Sequence, residues 1–314
     1  MGIVGVGRFG RLHAQKIASS PKARLVGIFD LDPCRAASVA EETGSRPYPS
    51  LDALLRDADA LVVTASTSAH HALAKASLLA RRHVFVEKPI AQTSEEALEL
   101  ASLVSGKNLV LACGHIERFQ PEIAYIRNLG LGPPKYLEAE RLHPYSGRSL
   151  DVDVIFDLMI HDLDLARWLV GEEAKSIDAV GARVLSDSLD MARAWMAFGG
   201  GAVANLAASR VSPNASRKWR LFWEDCYVSL DLLRHTVTLA RRLPGTSELA
   251  SDSVVFAKED ALSKELEAFL SLVREKSGSA ANGTPVSFLC NAADALEALI
   301  LAEGVKDAVC RSPA

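Results

Sequence analysis

The first third of the chain alternates short apolar runs with amphipathic stretches. Ile3-Val4-Gly5-Val6, Leu25-Val26-Gly27-Ile28-Phe29, Ala60-Leu61-Val62-Val63-Thr64, His83 to Val86 and Leu109-Val110-Leu111-Ala112 read as strands. Helices are expected between them: 11–19 ended by Pro21, one from Asp32-Pro33 to a C-cap at Gly44, a short one from Ser50 to Arg56, 69–80, and 94–105 capped by Ser94. Strands without polar alternation, each followed by a helix, predict βαβ units and a parallel sheet covered on both faces.

The pattern changes after Pro133-Pro134. Tyr136 to His143 reads as a strand, and one long helix is expected over Val154 to Val170. Strands then dominate: Ala174 to Leu185, Ala192 to Phe198, Ala202 to Arg210, Lys218 to Phe222, Tyr227 to Leu232 and Thr236 to Ala240. Gly199-Gly200-Gly201 is a hairpin turn. Helices over 259–276 and 288–308 close the chain. The expected fold is an α/β Rossmann domain, a doubly wound parallel sheet over 1–120, and an α+β domain with a large open antiparallel sheet over 121–314.

Length and composition agree with two globular domains: 314 residues, 49% apolar and 24% charged. The net charge of −4 gives no support to a general nucleic-acid binder. No apolar run is long enough for a membrane-spanning helix. Five scattered cysteines, with no Cys-x-x-Cys pair and no signal peptide, imply reduced thiols in a cytosolic protein. Val6 breaks a myristoylation pattern after Met-Gly. Only four residues precede Gly5, a short first strand that leaves the native start open.

Three segments carry chemistry. Gly5-Val6-Gly7-Arg8-Phe9-Gly10 follows a strand, opens a helix, and stands 20 residues before Asp30 at the end of the next strand. That is the dinucleotide fingerprint: Gly5 for the turn, Gly7 for approach of backbone to pyrophosphate, Gly10 for helix–strand packing, Asp30 for the ribose hydroxyls. The carboxylate repels a 2′-phosphate, which favours NAD over NADP. Glu87-Lys88-Pro89 ends a strand on the ligand side of the sheet, where Lys88 is either a crevice residue or an ordinary surface lysine. In the long helix, Asp157, His161 and Asp164 fall on one stripe at i, i+4 and i+7 of an otherwise apolar segment. A carboxylate beside an imidazole suits proton transfer, and the alternative is a satisfied core network. No third histidine at ligand spacing supports a metal.

In this order the three segments resemble the Gfo/Idh/MocA oxidoreductase family over the whole chain. The resemblance implies NAD as cofactor, with Arg8, Phe9, the segment Ala65, Ser66, Thr67 to His70, and Glu87 lining its site. It implies that Lys88 holds the reacting hydroxyl, and that Asp157 and His161 form the Asp-x-x-x-His pair with His161 as general acid/base. It also implies a homodimer or homotetramer formed through the outer face of the C-terminal sheet. Gly114-His115-Ile116-Glu117-Arg118-Phe119, Asp153 to Asp164 and Ala208-Ser209-Arg210-Val211-Ser212 are similar to a branch that oxidises the 3-hydroxyl of UDP-N-acetylglucosamine for later amination. His115 and Arg118 would then line the sugar pocket, Arg118 being equally suited to a structural ion pair. Between Asn205 and Arg220 stand Arg210, Arg217, Lys218 and Arg220 and no acidic residue, a candidate diphosphate clamp or a solvated strand-loop. The alternatives are a free polyol or sugar dehydrogenase of the inositol type and a catalytically silent NAD-sensing regulator.

Overall fold

The computed structural model describes residues 1–147, 152–278 and 286–311. Its contacts divide the chain into two compact units, Met1–Phe119 with Asp260–Leu296, and Gln120–Glu259 with Glu297–Ala314.

The first unit begins β1 (Gly2–Val4), α1 (Arg8–Ser19), β2 (Gly27–Phe29), α2 (Pro33–Glu42), α3 (Leu51–Asp57), β3 (Ala60–Val63), α4 (Thr67–Leu79), β4 (His83–Glu87), α5 (Ser94–Val104) and β5 (Leu111–Gly114), with a 3₁₀ turn at Ile116–Phe119. Five strands pair in parallel in the order β5-β4-β3-β1-β2. Ile3, Leu61, Val62, Val63, Val84, Phe85 and Val86 are all fully buried, as the unbroken apolar runs require of a sheet covered on both faces. α5 is capped by Thr93, which accepts from the Glu96 amide at 3.3 Å, one residue before the expected Ser94.

The second unit opens with α6 (Pro121–Asn128) and β6 (Tyr136–Leu142). The expected single helix is a π-helical turn, Ile155–Met159, running into α7 (Ile160–Val170), which ends on left-handed Gly171. Then follow β7 (Ala174–Ala182), β8 (Met191–Phe198), β9 (Val203–Ser209), β10 (Ser216–Phe222), β11 (Cys226–Asp231), β12 (Thr236–Arg242) and β13 (Leu249–Val255). The eight strands lie in the order β13-β12-β11-β10-β6-β9-β8-β7; β6 and β9 are parallel and the other neighbours antiparallel. One face is buried through Leu137, Ala139, Ala194, Met196, Leu206, Trp219 and Leu221, and the alternate residues face out. β13 has no counterpart in the sequence reading: every residue in it is exposed, and an edge strand with no buried face leaves no alternation to read.

α8 (Ala261–Lys276), β14 (Cys290–Asn291) and α9 (Ala292–Arg311) complete the chain. Here the structure differs from the expectation that 121–314 forms one body. β14 pairs antiparallel with β5, Phe269 of α8 packs edge-on against Phe85 at 5.7 Å, and Asp260–Leu296 belongs to the first unit. The long-range pairing that draws this segment back is invisible to local periodicity.

Candidate active site

The carboxyl ends of β1 to β4 lie side by side in the first unit, and each leads into one of the predicted segments. The chain progresses in opposite directions from β1, and the crevice at such a reversal is where open α/β sheets bind ligands. Gly5 has φ +85°, and a Cβ there would lie 2.7 Å from Cα of Ala65. At Gly10 a Cβ would lie 2.1 Å from the Gly5 carbonyl oxygen and 2.6 Å from Thr64 Oγ1. The chain's own packing therefore demands glycine at both positions. Gly7 differs: its φ is −61°, and a Cβ would meet nothing within 4 Å. Among the described residues no atom requires a glycine there, so the open space is available for a ligand to approach the backbone.

α1 starts at Gly7 with no side-chain cap and no acid in its first turn, whereas Asp32, Ser50 and Thr93 cap α2, α3 and α5. Its amides and positive end stay available to an anion. Arg8 is exposed, and Phe9 is 57% exposed, an aromatic ring left at the rim. Asp30 accepts from the Val6 amide at 2.7 Å through Oδ2 and from the Asp32 amide at 2.8 Å through Oδ1, with Arg35 at 3.6 Å. These bonds fix the carboxylate beside the glycine loop, and each oxygen keeps a further lone pair. The open cradle, the uncapped helix and the fixed acid fit a dinucleotide.

α4 also starts without a side-chain cap or an acid in its first turn, just after Ala65. Ser66 is exposed and Thr67 partly exposed. His70 is buried, with Nδ1 2.8 Å from the Pro89 carbonyl and Nε2 3.0 Å from that of Ala65. Both nitrogens engage backbone, so the ring braces the segments after β3 and β4. Burial lowers its pKa although both carbonyls favour the protonated ring.

Lys88 is half-buried at the end of β4. Its backbone N–H donates to Glu87 Oε2 at 3.2 Å, and Glu87 Oε1 lies 2.7 Å from His13 Nε2. Burial pushes the Glu87 carboxyl up, but the His13 bond and the Lys88 charge outweigh it and hold the group below the usual carboxylate range. His115 and Arg118, beyond β5, are 1% and 0% exposed. Arg118 donates to Asp294 at 3.0 Å, the structural ion pair that the sequence left as one of its two readings.

In the second unit, Asp153 starts the long helix by accepting from the Ile155 and Phe156 amides. The π turn adds a residue to the helical circuit, and such turns recur at functional sites. Asp157 and His161 are partly exposed, whereas Asp162 and Asp164 are each 2% exposed. Asp164, the third position of the expected stripe, is thus buried while the first two keep part of their surface. Arg141 takes Asp162 in a bidentate pair at 2.7 and 2.8 Å.

The basic segment is split by strand parity. Arg210 is buried just past β9, donating to Asp190 Oδ1 at 2.9 Å, to the Val152 carbonyl at 2.9 Å and to Ser186 and Ser188. Lys218 and Arg220 point to the outer face, Lys218 opposite Glu140 and Arg220 paired with Glu138. The acids missing from the local sequence are thus supplied by β6. Arg217 has the inward parity of Trp219 and stands opposite Arg141. His143 continues that inner row. Its pKa is lowered by burial and by the Arg217 and Arg141 guanidiniums, against the pull of Asp157. The sequence reading passed over His13 and His143 and kept Arg217 only as one charge in a run; the parity of Arg217 relative to Trp219 was the available signal.

These features define a dinucleotide-binding oxidoreductase with a separate α+β unit. The chain belongs to the Gfo/Idh/MocA family: residues 1–115 match the model of the oxidoreductase family with an NAD-binding Rossmann fold, and residues 125–229 match the GFO/IDH/MocA C-terminal domain. It is 47% identical to UDP-N-acetylglucosamine 3-dehydrogenase of Acidithiobacillus ferrooxidans over 87% of this chain and 88% of that protein. A solved structure of that enzyme superposes with a TM-score of 0.90 at 44% identity, covering 98% of this chain and 96% of the other. An inositol 2-dehydrogenase of Acidothermus cellulolyticus is 32% identical over 58% of this chain and 57% of its own. Levoglucosan dehydrogenase in complex with NADH shares the fold, with a TM-score of 0.84 at 20% identity over 99% and 96% of the two chains. No described helix is long and apolar enough to cross a membrane.

Proposed function

We propose that this protein oxidises the 3-hydroxyl of UDP-N-acetylglucosamine with NAD, giving the 3-keto sugar. The observation that carries this reading is the 47% identity to the Acidithiobacillus ferrooxidans enzyme across 87% of the chain. When bound, NAD supplies the acceptor for the hydride. The chain's residues handle the proton and the charge: the Lys88 ammonium stabilises the developing alkoxide, and the His161 imidazole takes the proton, oriented by Asp157. Gly7, Arg8, Phe9 and the start of α1 hold the pyrophosphate, and Asp30 takes the ribose hydroxyls. Ala65, Ser66 and Thr67 border the nicotinamide side, with His70 and Glu87 bracing from behind. Arg217 is assigned the substrate diphosphate, since it has the inner-face parity and shares the surroundings of His143 with Asp157.

A second copy of the chain is proposed to pack on the outer face of the large sheet. Tyr136, Phe222, Tyr227 and the half-exposed Trp195 form an aromatic row there, with centroids 4.9 to 6.0 Å apart. The NAD requirement supports a cytoplasmic location.

The test is NADH absorbance on mixing the protein with UDP-N-acetylglucosamine and NAD. Lys88→Ala and His161→Ala should each abolish turnover while NAD still binds. Activity on free inositol and none on UDP-sugars would replace this substrate. Tight NAD binding without turnover on any sugar would favour the silent regulator.

A further inference from the structure

His13 lies on the inward face of α1, in line with Gly10, Ala14 and Ile17. An apolar residue is the ordinary choice there. The imidazole is 0% exposed, and its Nδ1 has no hydrogen-bond partner among the described residues. Leaving a buried polar atom unpaired is destabilising, a penalty that leucine or phenylalanine would avoid. What the imidazole gains in return is one contact, Nε2 to Glu87 Oε1 at 2.7 Å, made across 74 positions of sequence. With Nδ1 unpaired, the ring proton belongs on Nε2, which donates to the carboxylate.

The surroundings keep that carboxylate in one place. The His13 ring packs 5.5 Å from Phe85, which also makes a T-shaped contact with Phe269. On β5 stands Gly114, where a Cβ would come within 2.8 Å of Glu87 Oε2. Room for the carboxylate thus depends on the glycine. Glu87 Oε2 in turn accepts the backbone N–H of Lys88 at 3.2 Å. One carboxylate therefore joins the first helix to the peptide from which the Lys88 side chain departs.

We propose that His13 is a positioning residue: through Glu87 it fixes the Lys88 backbone, and with it the direction in which the ammonium leaves the sheet. This rests on the reading of Lys88 as the group that holds the reacting hydroxyl.

The experiment uses the full chain with NAD and UDP-N-acetylglucosamine. His13→Phe keeps a ring against Phe85 but has no donor. His13→Gln places an amide N–H near the Nε2 position. His13→Leu, which also has no donor, serves as the second donor-less variant should the phenylalanine fail to fold. The donor-less variant should lose about 10- to 100-fold in kcat, the scale of a small misplacement of a reacting group. Its NAD dissociation constant should stay within about threefold, less than 1 kcal/mol. His13→Gln should restore most of kcat. Glu87→Gln should cause a similar loss that does not add to that of the donor-less variant.

Wild-type kcat without the donor overturns the proposal. So does equal loss in the glutamine and donor-less variants, or a loss of NAD binding and melting temperature that tracks the loss of kcat, since these mark packing alone. Turnover retained by Lys88→Ala would instead refute the reading of the lysine. Full turnover in the donor-less variant beside an inactive Lys88→Ala refutes only the role of His13.

Discussion

Gly7→Ala separates the cofactor's demands from the fold's. Gly7 has φ −61° and ψ −161°, and a Cβ would meet no atom within 4 Å. Alanine is a poorer N-cap than glycine by up to about 1 kcal/mol, and it recovers about 0.4–1 kcal/mol by restricting the unfolded chain. The net change in stability should be about 0.5 kcal/mol or less, a melting shift of about 1–2 °C. The bound dinucleotide should respond far more strongly. A methyl group at the loop keeps the pyrophosphate off the α1 amides and breaks one or two charge-assisted hydrogen bonds, each worth about 1.5–3 kcal/mol. The NADH dissociation constant should rise about 10- to 100-fold at the least. Fluorescence titration of NADH measures it directly. Thermal melting gives an independent reading. At a ligand concentration 100 times its dissociation constant, the wild type gains about 2.7 kcal/mol, and a variant that binds 100-fold more weakly gains about 0.4 kcal/mol. Gly10→Ala is the contrasting variant. Its Cβ would lie 2.1 Å from the Gly5 carbonyl, so it should lower the melting temperature of the apo protein, at a cost of about 1–3 kcal/mol or more. Unchanged NADH affinity in Gly7→Ala, with a normal melting temperature, would refute the placement of the pyrophosphate at this loop.

Arg210→Ala should strand the buried Asp190 carboxylate and cost about 3 kcal/mol of stability, read by chemical denaturation; a rise in the substrate KM with no change in stability would contradict this assignment. Arg217→Ala should raise the KM for UDP-N-acetylglucosamine by about tenfold or more, whereas Lys218→Ala, on the outer face, should change it by less than about twofold; the reverse order would move the diphosphate to the other side of the sheet. The Asp190 pKa is strongly lowered: burial opposes the charge, but bonds from Ser186, the Leu185 and Val184 amides and Arg210 outweigh it. Its folded pKa lies below the unfolded value, so its contribution is complete above about pH 4–5 and fades as pH falls toward the folded pKa. Asp190→Asn should therefore destabilise the protein at neutral pH and flatten the acid limb of melting temperature against pH, and an unchanged acid limb would contradict the sign.

Local pattern carried a large part of this protein. A parallel strand buried on both faces cannot avoid an apolar run, and a helix over it cannot avoid a stripe, so β1 to β5 and their helices were readable from neighbouring residues. The glycine loop was readable for the same reason: a positive φ at Gly5 and the close approach at Gly10 are requirements of the backbone within a few residues. Lys88, Asp157 and His161 stood out because charged groups interrupt otherwise apolar stretches. Elsewhere the outcome depended on partners far away in the chain. Arg217, Lys218 and Arg220 look alike in one dimension, but the pleat sends the first inward and the other two to acids on β6. Arg210 is occupied by Asp190, 20 positions earlier, and Glu87 by His13, 74 positions earlier. The pairing of β14 with β5 returned Asp260–Leu296 to the first unit. Periodicity records which face of its own element a residue takes, because burial repeats along the element. It carries no record of which distant side chain waits on that face, and for an ionisable group the distant partner sets charge, orientation and use.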